Sequence, residues 1–529
     1  MRWIALQLPA LSLESFAATL PAAARAAPAA LLQAQRITAA NDAAERLGVR
    51  PGMQRATALA LAPQLRLGQA DALRDAAALT SVAHAALAFT PAVSVPAEVP
   101  RAARSGQGEF DARHHHVLLE VGASLRYFGG LDALLGRLRS ALAPLGHRIS
   151  LASAPTAAGS LLLARQLATL AAGGGGSARA LHCADRADLH EALQALPVGL
   201  LDAAREHRQA LQGMGLRTIG ELRRLPRAGL ARRFGAGLLD EIDRAHGERP
   251  DACAWVALPP VFESRLELFA RADSAGQLLH GAGVLLARLI AWCGAQHARV
   301  RRFTLCMQHE PRRAHGDDAA ASTLEIALAE PSADAAHLLA LLHERLARLQ
   351  LAAPTLELRL ACADIARVAP PNGELFSTPG SEREGLTRLI ERLQARLGRE
   401  RVQRLVLLHD HRPEQACAAR PARAAQADAA PPRSRRADGA ALAAARPVWL
   451  LREPQPLPER GERPFIDGAA LQLLSGPERI ESGWWDGALA ERDYFIAQQG
   501  DGSLVWVFRG RLPRDEAAAE GWYLHGRFG

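Results

Sequence analysis

The sequence predicts an α+β fold for a protein of several domains. Short apolar runs typical of strands alternate with helical segments over residues 1–190, and the pattern becomes purely helical from 191 to 250. A second alternation of strands and helices follows at 262–365. Strands interleaved with helices are typical of α/β or α+β cores, and a chain of 529 residues can build more than one.

Composition indicates a folded and basic protein. Hydrophobic residues make up 49% of the chain, and the formal net charge is +8 with a pI of about 9.9. A basic surface favours an anionic partner such as nucleic acid. The six cysteines form no CxxC pair, which argues against a zinc ribbon and a disulfide framework. Without a signal-like start or a long apolar run, we expect a cytoplasmic location.

The first region, residues 1–190, is predicted to combine a sheet with helices. Its elements, in order, are a strand at 3–8, helices within the Ala- and Leu-rich stretch 13–90, a strand at 117–121, a helix at 131–146 and a strand at 147–155. The helix at 131–146 is the clearest of these, because Leu131, Leu134, Leu135 and Leu138 share one face.

The remaining regions are predicted from changes in pattern and composition. They are a helical unit at 191–255, an α+β unit at 262–365, a segment at 366–414, a low-complexity linker at 415–446 and a small α+β module at 447–529. Within the α+β unit, strands are predicted at 301–308, 323–329 and 355–363 and helices at 274–293 and 333–350. A helix is predicted at 383–398 and a hairpin at 493–510. The last module is rich in aromatic residues, and we expect it to bind protein partners.

The segment "LQGMGLRTIGEL", residues 211–222, predicts a helix–hairpin–helix. Glycines allow the tight turn, and a threonine can cap the second helix. Such a hairpin presents backbone N–H groups to a phosphate and binds DNA without reading its sequence. An ordinary helical hairpin is the alternative. The candidate DNA-binding residues are Gly213, Gly215, Arg217, Thr218, Arg223 and Arg224.

The order of these elements resembles that of a Y-family, or translesion, DNA polymerase over residues 1–365. The segments that carry the resemblance are "WIALQLPAL" at 3–11, "NDAAERLGVRPGM" at 41–53, "HHHVLLEVGASLRYFGG" at 114–130 and "LASAPTAAGSLLLAR" at 151–165. The resemblance implies a palm and fingers at 1–190, a thumb at 191–255 and a little finger at 262–365.

The residues that the family uses for catalysis are replaced here. Phosphoryl transfer by these enzymes needs two metal ions held by carboxylates, and Mg²⁺ demands hard oxygen ligands. The corresponding positions carry Gln7 and Pro9 on the first strand and His115 and His116 before the second. An imidazole, an amide or a proline cannot replace a carboxylate as a ligand for Mg²⁺. We therefore expect that the chain has no catalytic residues and binds no metal or cofactor.

The residues that would grip a nucleotide triphosphate are replaced as well. The family places Tyr and Arg in the fingers and Lys in a strand–helix turn, and here Asp42, Glu45 and Ala157 take those positions. Acidic groups would repel a triphosphate.

This pattern of losses resembles the ImuB family, catalytically defective Y-family-like proteins of bacterial damage-inducible mutasomes. Segments 372–416 and 492–529 resemble the corresponding parts of that family. The resemblance implies an adaptor in SOS-type mutagenesis and lesion bypass. Its implied partners are damaged DNA, the DNA polymerase III β sliding clamp, an error-prone C-family polymerase and an ImuA-type RecA-like protein, with no membrane.

"NGELF" resembles a sliding-clamp-binding pentapeptide, in which Leu and Phe fill apolar pockets on the clamp. The candidate residues are Asn372, Gly373, Glu374, Leu375 and Phe376. Gly373 departs from the pentapeptide pattern, because it offers no side chain at the second position. A similar segment, "RLELF" at 265–269, is expected to be buried in a strand.

Two other functions are compatible with the sequence. The chain is an active translesion polymerase if its carboxylates lie at other positions. Alternatively, it is a metal-dependent enzyme that uses His114 and His116, which can share a face of a strand, although no third ligand is evident.

Overall fold

A computed structural model describes residues 1–21, 24, 26–96, 114–172, 181–310, 321–367, 379–422, 446–511 and 521–528, without the side chains of 379–384. The chain divides into two compact units, Met1–Glu382 and Arg383–Gly529. Both units contain helices and separate, mostly antiparallel sheets, so the predicted α+β class is confirmed.

The first unit begins with two sheets and the helices that pack on them. The elements are β1 (Trp3–Gln7), α1 (Leu11–Ala17), β2 (Ala29–Gln33), β3 (Arg36–Ala40), α2 (Asp42–Arg46), α3 (Arg55–Leu61), β4 (Arg66–Gln69), α4 (Ala72–Leu87), β5 (Val93–Ser94), β6 (His116–Glu120), α5 (Leu125–Phe128), α6 (Leu131–Leu142), β7 (Ser150–Ala154), α7 (Ala157–Ala172) and β8 (Leu181–His182).

Strand β1 lies at the centre of the larger sheet, whose order is β5-β6-β1-β7-β8. It pairs antiparallel with β6 on one side and with β7 on the other. Side chains alternate along a strand, so Ile4, Leu6 and Leu8 pack towards α4 and α6, whereas Ala5 packs towards α7. Helices therefore cover both faces of the sheet, so a functional site on this sheet would lie at the ends of its strands.

The prediction of helices throughout 13–90 is wrong for β2, β3 and β4. These strands form a three-stranded sheet in the order β3-β2-β4, with β2 antiparallel to β3 and parallel to β4. The strands are rich in Ala and Leu, which favour helix in local sequence. β2 and β3 pair as a hairpin across Ala34 and Gln35, whereas β2 pairs with the distant strand β4, so tertiary context overrides local propensity here.

The predicted helical pattern over 191–250 is confirmed, with its first helix beginning slightly earlier. It contains α8 (Arg186–Gln194), α9 (Arg208–Gly213), α10 (Ile219–Arg223), α11 (Arg227–Phe234) and α12 (Ala236–His246). Their buried faces join the core on the α7 side of the first sheet, through Leu189, Leu211, Leu222 and Leu238.

The predicted α+β region follows, with β9 (Phe262–Ala272), α13 (Ala275–Ala295), β10 (Ala298–His309), β11 (Ala321–Ser332), α14 (Ala335–Leu346) and β12 (Thr355–Arg367). These strands form one antiparallel sheet in the order β11-β10-β12-β9. Among the described helices, α13 has the length and apolar composition of a membrane span. Leu278, Leu285 and Trp292 on it are fully buried, as in a core helix.

The second unit holds a helix, a hairpin and a β-module. Its elements are α15 (Pro379–Leu397), which begins just before the unit boundary, β13 (Gln403–Leu407), β14 (Cys417–Pro421), β15 (Trp449–Leu457), β16 (Glu459–Arg460), β17 (Arg463–Ile466), β18 (Ala469–Ala470), β19 (Gln472–Ser482), β20 (Ala490–Gln498), β21 (Leu504–Gly510) and β22 (Trp522–Arg527).

Two details of the second unit differ from the sequence prediction. Residues 417–421, assigned to the linker, form strand β14, which pairs with β13. The described part of 447–529 contains strands and no α-helix, so the helix of this α+β unit is α15. The predicted hairpin at 493–510 is confirmed by the pairing of β20 with β21.

Candidate functional site

The end of the first sheet brings together two of the positions that the sequence resemblance assigns to catalytic residues. Gln7 lies directly opposite His116 on β6 and opposite Ser150 on β7. Gln7 is 3% exposed, whereas Pro9 lies in the exposed turn that leads to α1. Two of the four substituted positions, Gln7 and His116, therefore face each other across the central strand pair on its α7 side.

The three histidines do not point in one direction. His114 is exposed, His116 is partly buried on the α7 side, and His115 is buried on the α4 side. The N–H of Leu8 donates to the carbonyl of His115 at 2.8 Å, which continues the strand pairing by one residue. Within the described part of the chain, no three His, Cys, Asp or Glu side chains lie together as a metal site.

Two carboxylates lie at this end of the sheet. Asp75 on α4 is 3% exposed and accepts hydrogen bonds from the hydroxyls of Ser12 and Ser15, each at 2.5 Å. Burial raises the pKa of Asp75, although the two hydroxyls and the nearby His115 oppose that rise. Glu14 on α1 contacts the Arg148 Nε at 3.1 Å and the His147 Nδ1 at 3.3 Å. Both carboxylates thus have partners within the chain.

Two of the positions that the sequence resemblance assigns to triphosphate binding carry acidic groups with partners in the chain. Asp42 lies 3.5 Å from Arg148 Nη1, and Glu45 lies 3.6 Å from Arg50. Ala157 is buried in the first turn of α7. The Asp251 carboxylate accepts a hydrogen bond from the neighbouring N–H of Ala158 at 3.2 Å. A carboxylate at the positive end of this helix stands where an anionic phosphate would otherwise be favoured.

The predicted helical hairpin is present between α9 and α10. Gly215 has φ +77°, a conformation that glycine adopts readily. Gly213, Gly215, Arg217 and Arg224 are exposed, whereas Arg223 is half-buried and contacts Glu248 at 2.5 Å.

The mechanism of phosphate binding expected for this hairpin requires a correction. The Glu221 carboxylate accepts hydrogen bonds from the N–H groups of Arg217 and Thr218, at 2.7 and 3.0 Å. These bonds hold the pKa of Glu221 below its usual value. The Thr218 hydroxyl in turn accepts from the N–H of Glu221 in a capping box. Because this carboxylate already occupies the N–H groups, DNA contact here would depend on arginine side chains.

A second hairpin, between α11 and α12, was missed in the sequence. Gly235 alone joins the two helices, with φ +83°, and no side chain caps the start of α12. A Cβ at Gly235 or Gly237 would meet no other atom within 4 Å, so the turn is open. Exposed Arg232 and Arg233 lie in the last turn of α11. The Gly-x-Gly spacing that identified the first hairpin is also present here at 235–237.

The strand that contains "RLELF" is part of the second large sheet. Leu266 is 2% exposed, but Phe269 is 43% exposed, so the expected burial is wrong for the phenylalanine. The N–H of Phe269 donates to the carbonyl of Thr19, and its ring meets Phe16 edge-on at 5.4 Å. This segment is held in a strand and is not an extended peptide free to enter a clamp. The other motif, Asn372–Phe376, lies outside the described residues.

Comparison with known proteins gives relatives of similar length. No family model matches the chain. Protein ImuB of Caulobacter vibrioides strain NA1000 / CB15N is 28% identical over 505 residues, covering 91% of this chain and 100% of that protein. Protein ImuB of the strain ATCC 19089 / CIP 103742 / CB 15 shows the same identity and coverage.

Solved structures are also similar to part of the chain. A ternary complex of Dbh has a TM-score of 0.36 and 14% identity, covering 70% of this chain and 100% of that one. DinB from Sulfolobus solfataricus has a TM-score of 0.34 and 13% identity, with the same coverage. TM-scores this low do not support any assignment of function. The similarity to ImuB does cover nearly all of both chains, and the resemblance expected from the sequence motifs is confirmed: this chain is similar to ImuB proteins.

Proposed function

We propose that this protein is a non-catalytic, Y-family polymerase-like adaptor in damage-induced mutagenesis and translesion DNA synthesis. It links DNA and the sliding clamp to an error-prone C-family polymerase and a RecA-like accessory protein. The proposal places it in the cytoplasm. Similarity to ImuB over 91% of the chain supports this assignment.

The observation that carries the non-catalytic part is the chemistry of the sheet end. An amide and an imidazole, Gln7 and His116, face each other where a two-metal site would need carboxylates. Glu14 and Asp75, the acidic side chains described above at this end, are engaged by Arg148 and by two serines. A Mg²⁺ ion would have to displace these partners to be bound.

Partner binding is supported by the exposed aromatic residues of the second unit. Trp449, Trp484 and Trp485 are 71%, 78% and 55% exposed, respectively. Tryptophan is enriched at the energetic centres of protein interfaces, because it buries a large rigid surface. The experiment that tests the adaptor function reconstitutes bypass of a lesion by the C-family polymerase with clamp and RecA-like protein. Bypass should depend on this chain, and bypass that is equal without it would refute the proposal.

We expect the DNA contact to use exposed arginines of the hairpin. Reversing two charges, Arg217→Glu with Arg224→Glu, should lower affinity for a primed duplex about tenfold or more, because each removes attraction to a phosphate. The dependence of affinity on salt should become shallower, since fewer counterions are released. Fluorescence anisotropy across a salt series measures both.

The matched control is Arg345→Glu with Arg348→Glu, which reverses the charges of two exposed arginines at the end of α14. It should leave the affinity nearly unchanged. Equal losses for the hairpin variant and the control would show that only net charge matters and would reject the hairpin as the contact.

An active translesion polymerase is the second candidate. This alternative is supported by the presence of two carboxylates, Glu14 and Asp75, near the end of the central strand. In that function their present partners would give way to metal ions when DNA and nucleotide bind.

A further inference from the structure

Helix α15 presents its apolar face to solvent. Leu386, Leu389, Leu393 and Leu397 are 54%, 52%, 37% and 47% exposed. Successive residues of an α-helix are rotated by about 100° about its axis, so the four leucines lie within a narrow arc, and we call them the leucine stripe. A surface helix of a globular protein normally turns such a stripe towards the core.

The opposite, mostly polar face of α15 is the buried one. Thr387, Glu391 and Ala395 are 2%, 9% and 6% exposed. The side-chain amide of Gln394 donates to the carbonyl of Ala422, directly after β14, at 2.5 Å. Contacts inside the unit therefore hold the helix in the orientation that leaves the leucine stripe outward.

A row of arginines runs beside the leucine stripe. Arg388, Arg392 and Arg396 each immediately precede a leucine of the stripe and recur every four residues, so they lie along one flank. Arg392 and Arg396 are exposed. The one acidic residue of Gly385–Leu397 is Glu391, which points to the buried face. The surface thus combines leucines at helix-pairing spacing with positive charge along one edge.

We propose that the leucine stripe is a docking surface for an acidic amphipathic helix of a partner protein. Leucines spaced by three and four residues match a helix-on-helix seam, in which side chains of one helix fill holes on the other. Glutamate or aspartate on the flank of the partner helix would pair with the arginine row. The inference rests on the proposed adaptor function in one respect, that the chain acts through protein partners.

Charge disfavours a second copy of this chain as the occupant. When two identical helices pair antiparallel, each flank faces the same flank of the other helix, so the arginine rows would oppose each other. Leucines flanked by arginines also suit an interfacial membrane helix, so a membrane surface is the alternative that the vesicle arm of the test decides.

The test uses the full chain and two synthetic peptides of three heptads. Both carry leucines at the seam, and they differ only in having glutamate or lysine at the flanks. We expect the glutamate peptide to bind about tenfold tighter than the lysine peptide in fluorescence anisotropy, with a difference that salt reduces. Leu393→Glu should weaken binding of the glutamate peptide about thirtyfold, because it places a charge in the seam.

Two further variants sharpen the result. Arg392→Glu with Arg396→Glu should reverse the preference between the peptides. Leu474→Glu is the matched control, since Leu474 is 49% exposed on β19 of the same unit and should not affect either peptide. Circular dichroism of each variant confirms that it folds.

Several results would overturn the proposal. These are equal binding of both peptides, binding only to vesicles of phosphatidylcholine and phosphatidylglycerol, a dimer in light scattering that Leu393→Glu dissociates, or no binding at all. The assay contains no DNA, clamp or polymerase. Failure here therefore leaves the lesion-bypass result standing, and failure of the bypass experiment leaves the peptide result standing.

Discussion

Purified protein should not extend a primed DNA template with Mg²⁺ or Mn²⁺ and all four nucleotides. In the proposed function no carboxylates hold two metal ions, so the primer hydroxyl would not be activated and the developing charge on the phosphates would not be neutralised. The loss of such electrostatic stabilisation is worth several orders of magnitude in rate. We therefore expect extension at least about a thousandfold slower than that by an active Y-family polymerase assayed beside it.

Two variants decide the meaning of any extension that is observed. Asp75→Asn and Glu14→Gln remove the charges of the carboxylates at the sheet end. If the unaltered protein extends primers and either variant abolishes extension, the chain is an active polymerase with relocated ligands. Extension that survives both changes would come from a contaminating enzyme, because neither carboxylate is then needed.

Replacing Leu375 and Phe376 together by alanine should weaken binding to the β sliding clamp about thirtyfold or more. In a pentapeptide of this type, the leucine and phenylalanine carry most of the affinity because they fill apolar pockets. Gly373 offers no side chain, so the starting affinity should already be modest. Surface plasmon resonance with immobilised clamp measures the change.

The matched control for this prediction is Phe269→Ala in "RLELF". Its backbone N–H is bonded to Thr19, and its strand pairs with β12, so we expect clamp affinity to be unchanged. If Phe269→Ala removes binding and the double variant at 375–376 does not, the clamp site is in the second sheet and the assignment to 372–376 is wrong.

The fold was predicted well where its pattern is local. The periodicity of Leu131–Leu138 and the capping threonine of the hairpin specify their helices through neighbours three or four residues away. The strands at 29–40 and 66–69 were not predicted. Their alanines and leucines favour helix, and the turn between β2 and β3 places Ala34 and Gln35 at positive φ without the glycine or asparagine that normally marks a hairpin. Only the pairing of β2 with β4 is long-range.

In the candidate site, too, the sequence predicted the residue types but not how their side chains are arranged. Residue types alone led to the prediction that Gln7, His115 and His116 take the positions of carboxylates in the resembled family. The sequence did not reveal that His115 and His116 point to opposite faces, or that Glu221 occupies the N–H groups of the hairpin. Such details depend on strand pairing and on side chains that meet only in the folded chain.

By itself, the sequence determined the α+β class, the order of the regions, the helical hairpin and the resemblance to ImuB proteins. These follow from composition, periodicity and motifs, which are properties of neighbouring residues. Only the tertiary structure decided which carboxylates are already engaged and which face of α15 is turned outward. A helical pattern specifies that an apolar face exists, but the packing of the rest of the unit decides whether that face is buried or left for a partner.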